Sequence, residues 1–173
     1  PLTRFMLGLS DFMQHNAIPI VIVSAVVIIL IRRYIKTPKG KYQFHALLLK
    51  IPVLKQIITK VAVARFARTF SSLLSSGVGV LESIRVTSGA IGNKVIEKEL
   101  MEASKEVQAG HQLSEPLSHS VYFPKIVSQM LAIGEETGQI DTILVKVADF
   151  YEEEVDTVID NLSSIIEPVM IVS

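Results

Sequence analysis

Two hydrophobic patterns divide the chain. Residues 12 to 31 contain no Asp, Glu, Lys or Arg, and their core is the run AIPIVIVSAVVIILI at 17 to 31. As a helix the uncharged stretch reaches roughly 30 Å, the hydrocarbon thickness of a bilayer. A transmembrane helix over 17–36 is the reading; the alternative is a buried helix or strand of a soluble core, since the run is rich in Val and Ile. From about Tyr42 the apolar residues instead recur at steps of three and four, with no alternating run of strand length. That spacing predicts an all-α domain, an antiparallel helical bundle of about six helices over 42–165.

Within this domain, KVAVARFARTFSSLLSSG (60–77) sets Val61, Ala64, Phe66, Phe70, Leu73 and Leu74 on one broad face and stops at Gly77, a natural left-handed C-terminal residue. VLESIRVTSGAI starts again, which makes a helical hairpin. NKVIEKELMEASKEVQAG (93–110) opens on the N-cap candidate Asn93 and stops at Gly110. Ser114 can cap a short helix, and Pro124 suits the first position of a helix running to about Glu136. Ile140, Leu144, Val147, Tyr151, Val155, Val158, Leu162 and Ile165 then continue without a break, so one long helix is expected up to Glu167 and Pro168. Between these two patterns lies GEETGQID, read as a helix-helix turn in which Gly134 and Gly138 punctuate the chain and Asp141 favours the dipole of the next helix. Glu135 is available there for a buried or interfacial ion pair.

Charge changes the picture more than composition does. The net charge is zero, but up to Phe70 there are eleven bases against Asp11 alone, and after Met130 there are ten acids against Lys146 alone. Such segregation suggests a basic end near an anionic surface, such as membrane lipid, and an acidic end that is solvated or faces a cationic partner. The cluster RRYIKTPKGK (32–41) carries five bases and no acid. By the positive-inside rule it lies in the cytoplasm with everything after it, and 1–16 becomes a short amphipathic extracytoplasmic segment. Residues 166–173, ending PVMIVS, read as the start of a further transmembrane helix. With Pro1 at the other end, the chain reads as a fragment.

Chemistry is sparse. There is no Cys, which removes disulfides, thiolate metal sites and a cysteine nucleophile. Adjacent Glu135 and Glu136 in a turn point apart and have no His in sequence reach, which is a poor acid-base pair. SGAIGNK (88–94) has too short a spacing for a phosphate loop, with Val95 where Ser or Thr should hold magnesium, and GVGVLE has Glu82 where a dinucleotide loop needs glycine. His15, His45, His111 and His119 show no metal-ligand spacing and read as surface or satisfied histidines. EEE (152–154) is a solvated helix face. No catalytic residue, cofactor or metal site is expected.

RFARTFSSLLSSGVGVLESI, then FP at Phe123 and Pro124, GEETGQID, ADFYEEEVD and IIEP together resemble the second cytoplasmic domain of the inner-membrane platform proteins of type II secretion and type IV pilus systems. The likeness is dense over 60–170, and Gly79 stands where that family often has Pro. It implies a non-enzymatic, multi-pass protein of the bacterial inner membrane with two related cytoplasmic bundles. It also implies a cytoplasmic assembly ATPase, pilins or pseudopilins and other inner-membrane assembly proteins as partners, a homo-oligomeric state, and no nucleic acid. The family's recurrent positions fall at Arg65, Phe66, Arg68, Gly77, Phe123, Pro124, Gly134, Glu135, Gly138, Tyr151, Glu154, Glu167 and Pro168. Of these, Arg65, Arg68, Glu135 and Glu154 are the candidates for ion pairs or partner contacts, whereas Gly77, Pro124, Gly134, Gly138 and Pro168 are read as structural turns. Glu152, Glu153 and Asp156 are the acids expected to face the ATPase. A membrane-anchored signalling or receptor domain is the alternative.

Overall fold

A computed structural model describes residues 17 to 172; the side chains of 161–172 and of several positions between 17 and 31 lie outside that description, as does the amphipathic piece expected over 1–16. The described residues form eight α-helices and no strand. The chain divides into two compact units, 1–44 and 45–173.

In the first unit, α1 (Ala17–Lys36) contains the apolar run and ends in Arg33 and Lys36. Among the described residues no helix is long and apolar enough to cross a membrane. α2 (Pro38–Leu48) begins within the basic cluster. Thr37 separates the two helices: its hydroxyl donates to the Tyr34 carbonyl and accepts the Gly40 N–H at 3.1 Å. A threonine cap followed by proline at the first helical position is a strong start signal, here inside what reads from charge alone as a plain basic tail.

The second unit is the predicted all-α bundle. α3 (Pro52–Ser75) starts at Pro52 rather than Lys60, because Ile51 is extended and the proline is preset for a first turn. It stops where Gly77 takes φ +80°. α4 (Val80–Ala90) and α5 (Lys94–Gln108) follow as a hairpin, with the Asn93 side chain accepting the Val95 N–H at 2.9 Å. α6 (Ser114–Ser118) is a short helix, α7 (Lys125–Thr137) follows Pro124, and α8 (Ile140–Val172) closes the chain. Pro124 sits at the N-cap with ψ 143°, one residue before the helical position expected for it. Pro168 is not a turn: α8 runs past it to Val172. A proline removes one donor from the helical ladder, and the residues on either side carry the helix on.

α3 is central. It packs along α8 on one side and against α4 on the other, which is why Ala62, Val63 and Ala67 are buried beside the expected Phe66 and Phe70. The pairs Lys60 with Glu154, Arg68 with Glu152, and Ser75 with Asp141 run in opposite sequence directions, so α3 and α8 are antiparallel. Phe66 stacks on Phe70 at 5.3 Å and meets Phe123 edge-on at 5.3 Å. Leu100, Leu117, Leu131 and Leu144, all buried, bring α5 to α8 onto the same core.

Candidate functional site

The four charged positions singled out from sequence divide into two kinds. Arg68 and Glu154 are in ion pairs between α3 and α8. The Arg68 guanidinium donates to Asp149 at 2.5 Å and to both oxygens of Glu152 at 2.9 and 2.7 Å. That fork holds the Glu152 carboxyl below its ordinary range, chiefly through the hydrogen bond, and raises the arginine further above its own. Lys60 donates to Glu154 at 2.5 Å, two residues after Glu152 on α8. The Arg68 strap is open to water, whereas the Lys60 strap is half-buried.

Among the described residues neither Arg65 nor Glu135 is in an ion pair, contrary to the pairing expected for both. Each closes a helix end instead. Glu135 accepts the backbone N–H of Leu113 at 2.6 Å and of Ser114 at 3.2 Å, which are the first amides of α6. A carboxylate at a helix N-terminus meets both the unpaired donors and the positive end of the dipole. Ser114, expected to cap this helix with its own side chain, is buried within it and makes no such bond. Arg65 donates to the Ile91 carbonyl at 3.4 Å, at the C-terminal end of α4. The charge signs are those the helix ends require.

The GEETGQID turn places Glu135. Gly138 caps α7 with φ +70°, and its N–H and that of Gln139 both point to the Gly134 carbonyl, a left-handed closure that non-glycine residues disfavour. Gly134 is itself not a turn residue. It is buried inside α7, and a Cβ there would lie 2.9 Å from the Ile140 Cα. Its role is close approach: without a side chain, α8 can start against the last turn of α7. The pattern of two glycines four apart reads as punctuation in sequence, but only one of them punctuates.

Of the three acids expected to face an ATPase, Glu152 is engaged by Arg68, whereas Glu153 and Asp156 are exposed. The histidines fit their structural reading where they are described. His45 accepts the Lys94 N–H at 2.8 Å, His111 lies 2.9 Å from Glu115, and His119 is beside the Glu115 carbonyl; His15 is outside the described residues. Sequence reasoning passed over Lys60 and Asp149, which complete the straps. Eight residues put Lys60 and Arg68 about 80° apart around α3, on one broad face but not one stripe, so their spacing alone does not signal a shared partner helix. It also passed over Glu99, half-buried with one carboxyl oxygen unpartnered; burial pushes this group up.

Among the described residues no group of three or more His, Asp or Glu could hold a metal ion. What the fold defines is a helical scaffold whose charged residues fix helices to one another. Residues 66–173 match the family described as type II secretion system (T2SS), protein F. The chain belongs to that family. It is 44% identical over 99% of its length to the type IV pilus assembly protein PilC of Thermus thermophilus, covering 42% of that protein. It is 40% identical over 98% of its length to the type IV pilus assembly protein TapC of Aeromonas hydrophila, covering 41% of it. It is also 29% identical over 99% of its length to type II secretion system protein F of Aeromonas hydrophila, covering 44%. The chain thus spans about two fifths of the length of these curated relatives.

Proposed function

We propose that this chain is the force-bearing part of a non-enzymatic inner-membrane platform in a type II secretion or type IV pilus machine. In this reading the uncharged stretch 12–31, part of which lies outside the described residues, spans the membrane, the bundle lies in the cytoplasm, and α8 leads toward a second span. Family membership supports the class of machine, since the relatives are named for pilus assembly and for secretion. The observation that carries the mechanical reading is the α3–α8 pair. α8 has 33 residues, roughly 50 Å of helix, and the Arg68 and Lys60 straps fix it side by side with the 24-residue α3. A push on the bundle travels along such a pair because neither helix can slide without breaking several contacts at once.

The uncharged stretch at 12–31 is the support for the span, together with the exposed apolar side chains Ile22, Val23, Ile28, Ile29 and Leu30 of α1. With no nucleotide-binding motif in the sequence, energy enters from a partner, a cytoplasmic assembly ATPase, and leaves toward pilins or pseudopilins. Asp156, exposed beside the Arg68 strap, is an acid open to a cationic surface of that motor. Interface charges act mainly on encounter and specificity. In the full-length protein Asp156→Lys is therefore expected to preserve level and membrane insertion while ATPase binding weakens and becomes less salt-sensitive. Unchanged binding and unchanged fibre assembly or secretion would remove this face from the contact. A membrane-anchored signalling domain gains no support, since the family match covers residues 66–173.

A further inference from the structure

The second exposed side of α8 differs from the strapped side. Lys146, Phe150, Glu153 and Thr157 follow steps of four, three and four, and all four are exposed. That spacing places them on one narrow stripe of the helix. Phe150 is 56% exposed although it is the largest apolar side chain on α8's surface, and an exposed aromatic of that size marks a contact more often than a lone aliphatic does. Phe150 and Lys146 also form one wall of a shallow groove between α7 and α8 of about 250 Å³, with Ile126, Met130 and Tyr151 among its other lining residues. Ile126 is itself 51% exposed. No ion-pair partner of Lys146 or Glu153 occurs among the described residues.

The charge order on this stripe is self-complementary. A base lies about one turn before Phe150 and an acid about one turn after it. Lys146 and Glu153 are seven residues apart, roughly 10 Å along the axis, and Phe150 falls near the middle. Two copies of the stripe laid antiparallel about a two-fold axis at Phe150 therefore set each Lys146 against the other copy's Glu153. The two Phe150 side chains then meet at the axis. A parallel pairing would oppose like charges.

We infer that this face of α8 is an interface between two copies of this chain, a symmetric antiparallel contact centred on Phe150 with reciprocal Lys146–Glu153 pairs. The inference goes beyond the platform reading and does not use Asp156. A two-fold interface must use one patch twice, and the charge order of this patch satisfies that condition. Dimerisation here leaves the Arg68 and Lys60 straps intact and links the two long helices of neighbouring copies.

The test uses the full-length chain in membranes, freed of any native cysteine. Phe150→Cys is expected to form a disulfide-linked homodimer under mild oxidation, and Lys146→Cys in one tagged copy is expected to cross-link to Glu153→Cys in a differently tagged copy. Lys105→Cys, exposed on α5, is the background. Lys146→Glu added to Phe150→Cys should lower the cross-link roughly fivefold, because the dyad counts each lost pair twice; adding Glu153→Lys as well should restore it. Cross-linking at 150 no greater than at 105, cross-linking of Phe150→Cys to a different protein, or failure of the charge swap to restore would each overturn the inference. Because ATPase binding is scored separately through Asp156→Lys, loss of one result does not carry the other with it.

Discussion

The lateral straps and the helix-end closures use the same residue types for different physical ends. Arg68 holds Asp149 and Glu152 across two helices in water, with side chains 42% to 62% exposed. Glu135 instead takes two backbone amides at the start of α6, in a half-buried place. Exposed ion pairs are screened and cost side-chain entropy, so each is worth under about 1 kcal/mol. A charged acceptor on otherwise unpaired amides is worth about 1.5–3 kcal/mol, because its loss strands the donors. The contrast teaches that the acid fixing the fold is the one in the last turn of α7, whereas Glu152 and Glu154 of the conspicuous run bear on how α8 lies on α3.

The sharpest way to break this comparison is Glu135→Ala. It should destabilise the bundle by about 2–3 kcal/mol in chemical denaturation, with loss concentrated at α6 in hydrogen exchange. Glu135→Gln keeps an acceptor and should cost less. A loss no larger than that of Arg68→Ala would put the two kinds of contact on equal footing and end the distinction.

Next in size is Gly134→Ala. The added Cβ meets main-chain atoms of Ile140, not a flexible tip, so α8 must move relative to α7, at a cost of about 1–3 kcal/mol. The same shift displaces Glu135 from α6, and α6 amides should lose protection with α7. If protection falls only at α7 and α8, the turn does not position the carboxylate. Gly138→Ala should cost about 1 kcal/mol through its positive φ alone, with little effect on α6. Comparing the two glycines by thermal or denaturant unfolding separates close approach from backbone conformation.

Much of this fold was legible before any coordinates because helical periodicity is a local signal. Asn93, Gly77 and Gly138 announce helix ends by their own chemistry, and the apolar steps from Ile140 to Val158 trace α8 directly. Gly134 and Glu135 were harder to read. Whether a glycine bends the chain or admits a neighbour depends on what packs against it, and Ile140 lies in another helix. Likewise a glutamate two residues from a helix end looks like an ion-pair partner until a third segment brings its amides within 2.6 and 3.2 Å. Lys60 and Asp149 were missed for the same reason: their partners are more than eighty residues away in sequence. The start of α3 at Pro52 was missed for a different one, since its first turns carry too few buried residues to show a periodic face.

The smallest expected effect is the one that tests the straps themselves. Arg68→Ala removes a fork to two carboxylates, but both ends are solvated, so the stability change should stay below about 1 kcal/mol and shrink further in high salt. Its pH signature is more informative than its size. The Glu152 carboxyl, depressed by the arginine's hydrogen bond from an ordinary value near 4.5, contributes stability that is present above that value and is lost as pH falls through its folded-state one. Parent and Arg68→Ala proteins should therefore differ near neutral pH and converge in acid, when Glu152 is protonated in both states. A difference that persists unchanged in acid and in high salt would mean that Arg68 acts through packing of its stem along α3, not through charge. In that case α8 is held to α3 by shape, and reversing acids on its surface would leave its seating unaffected.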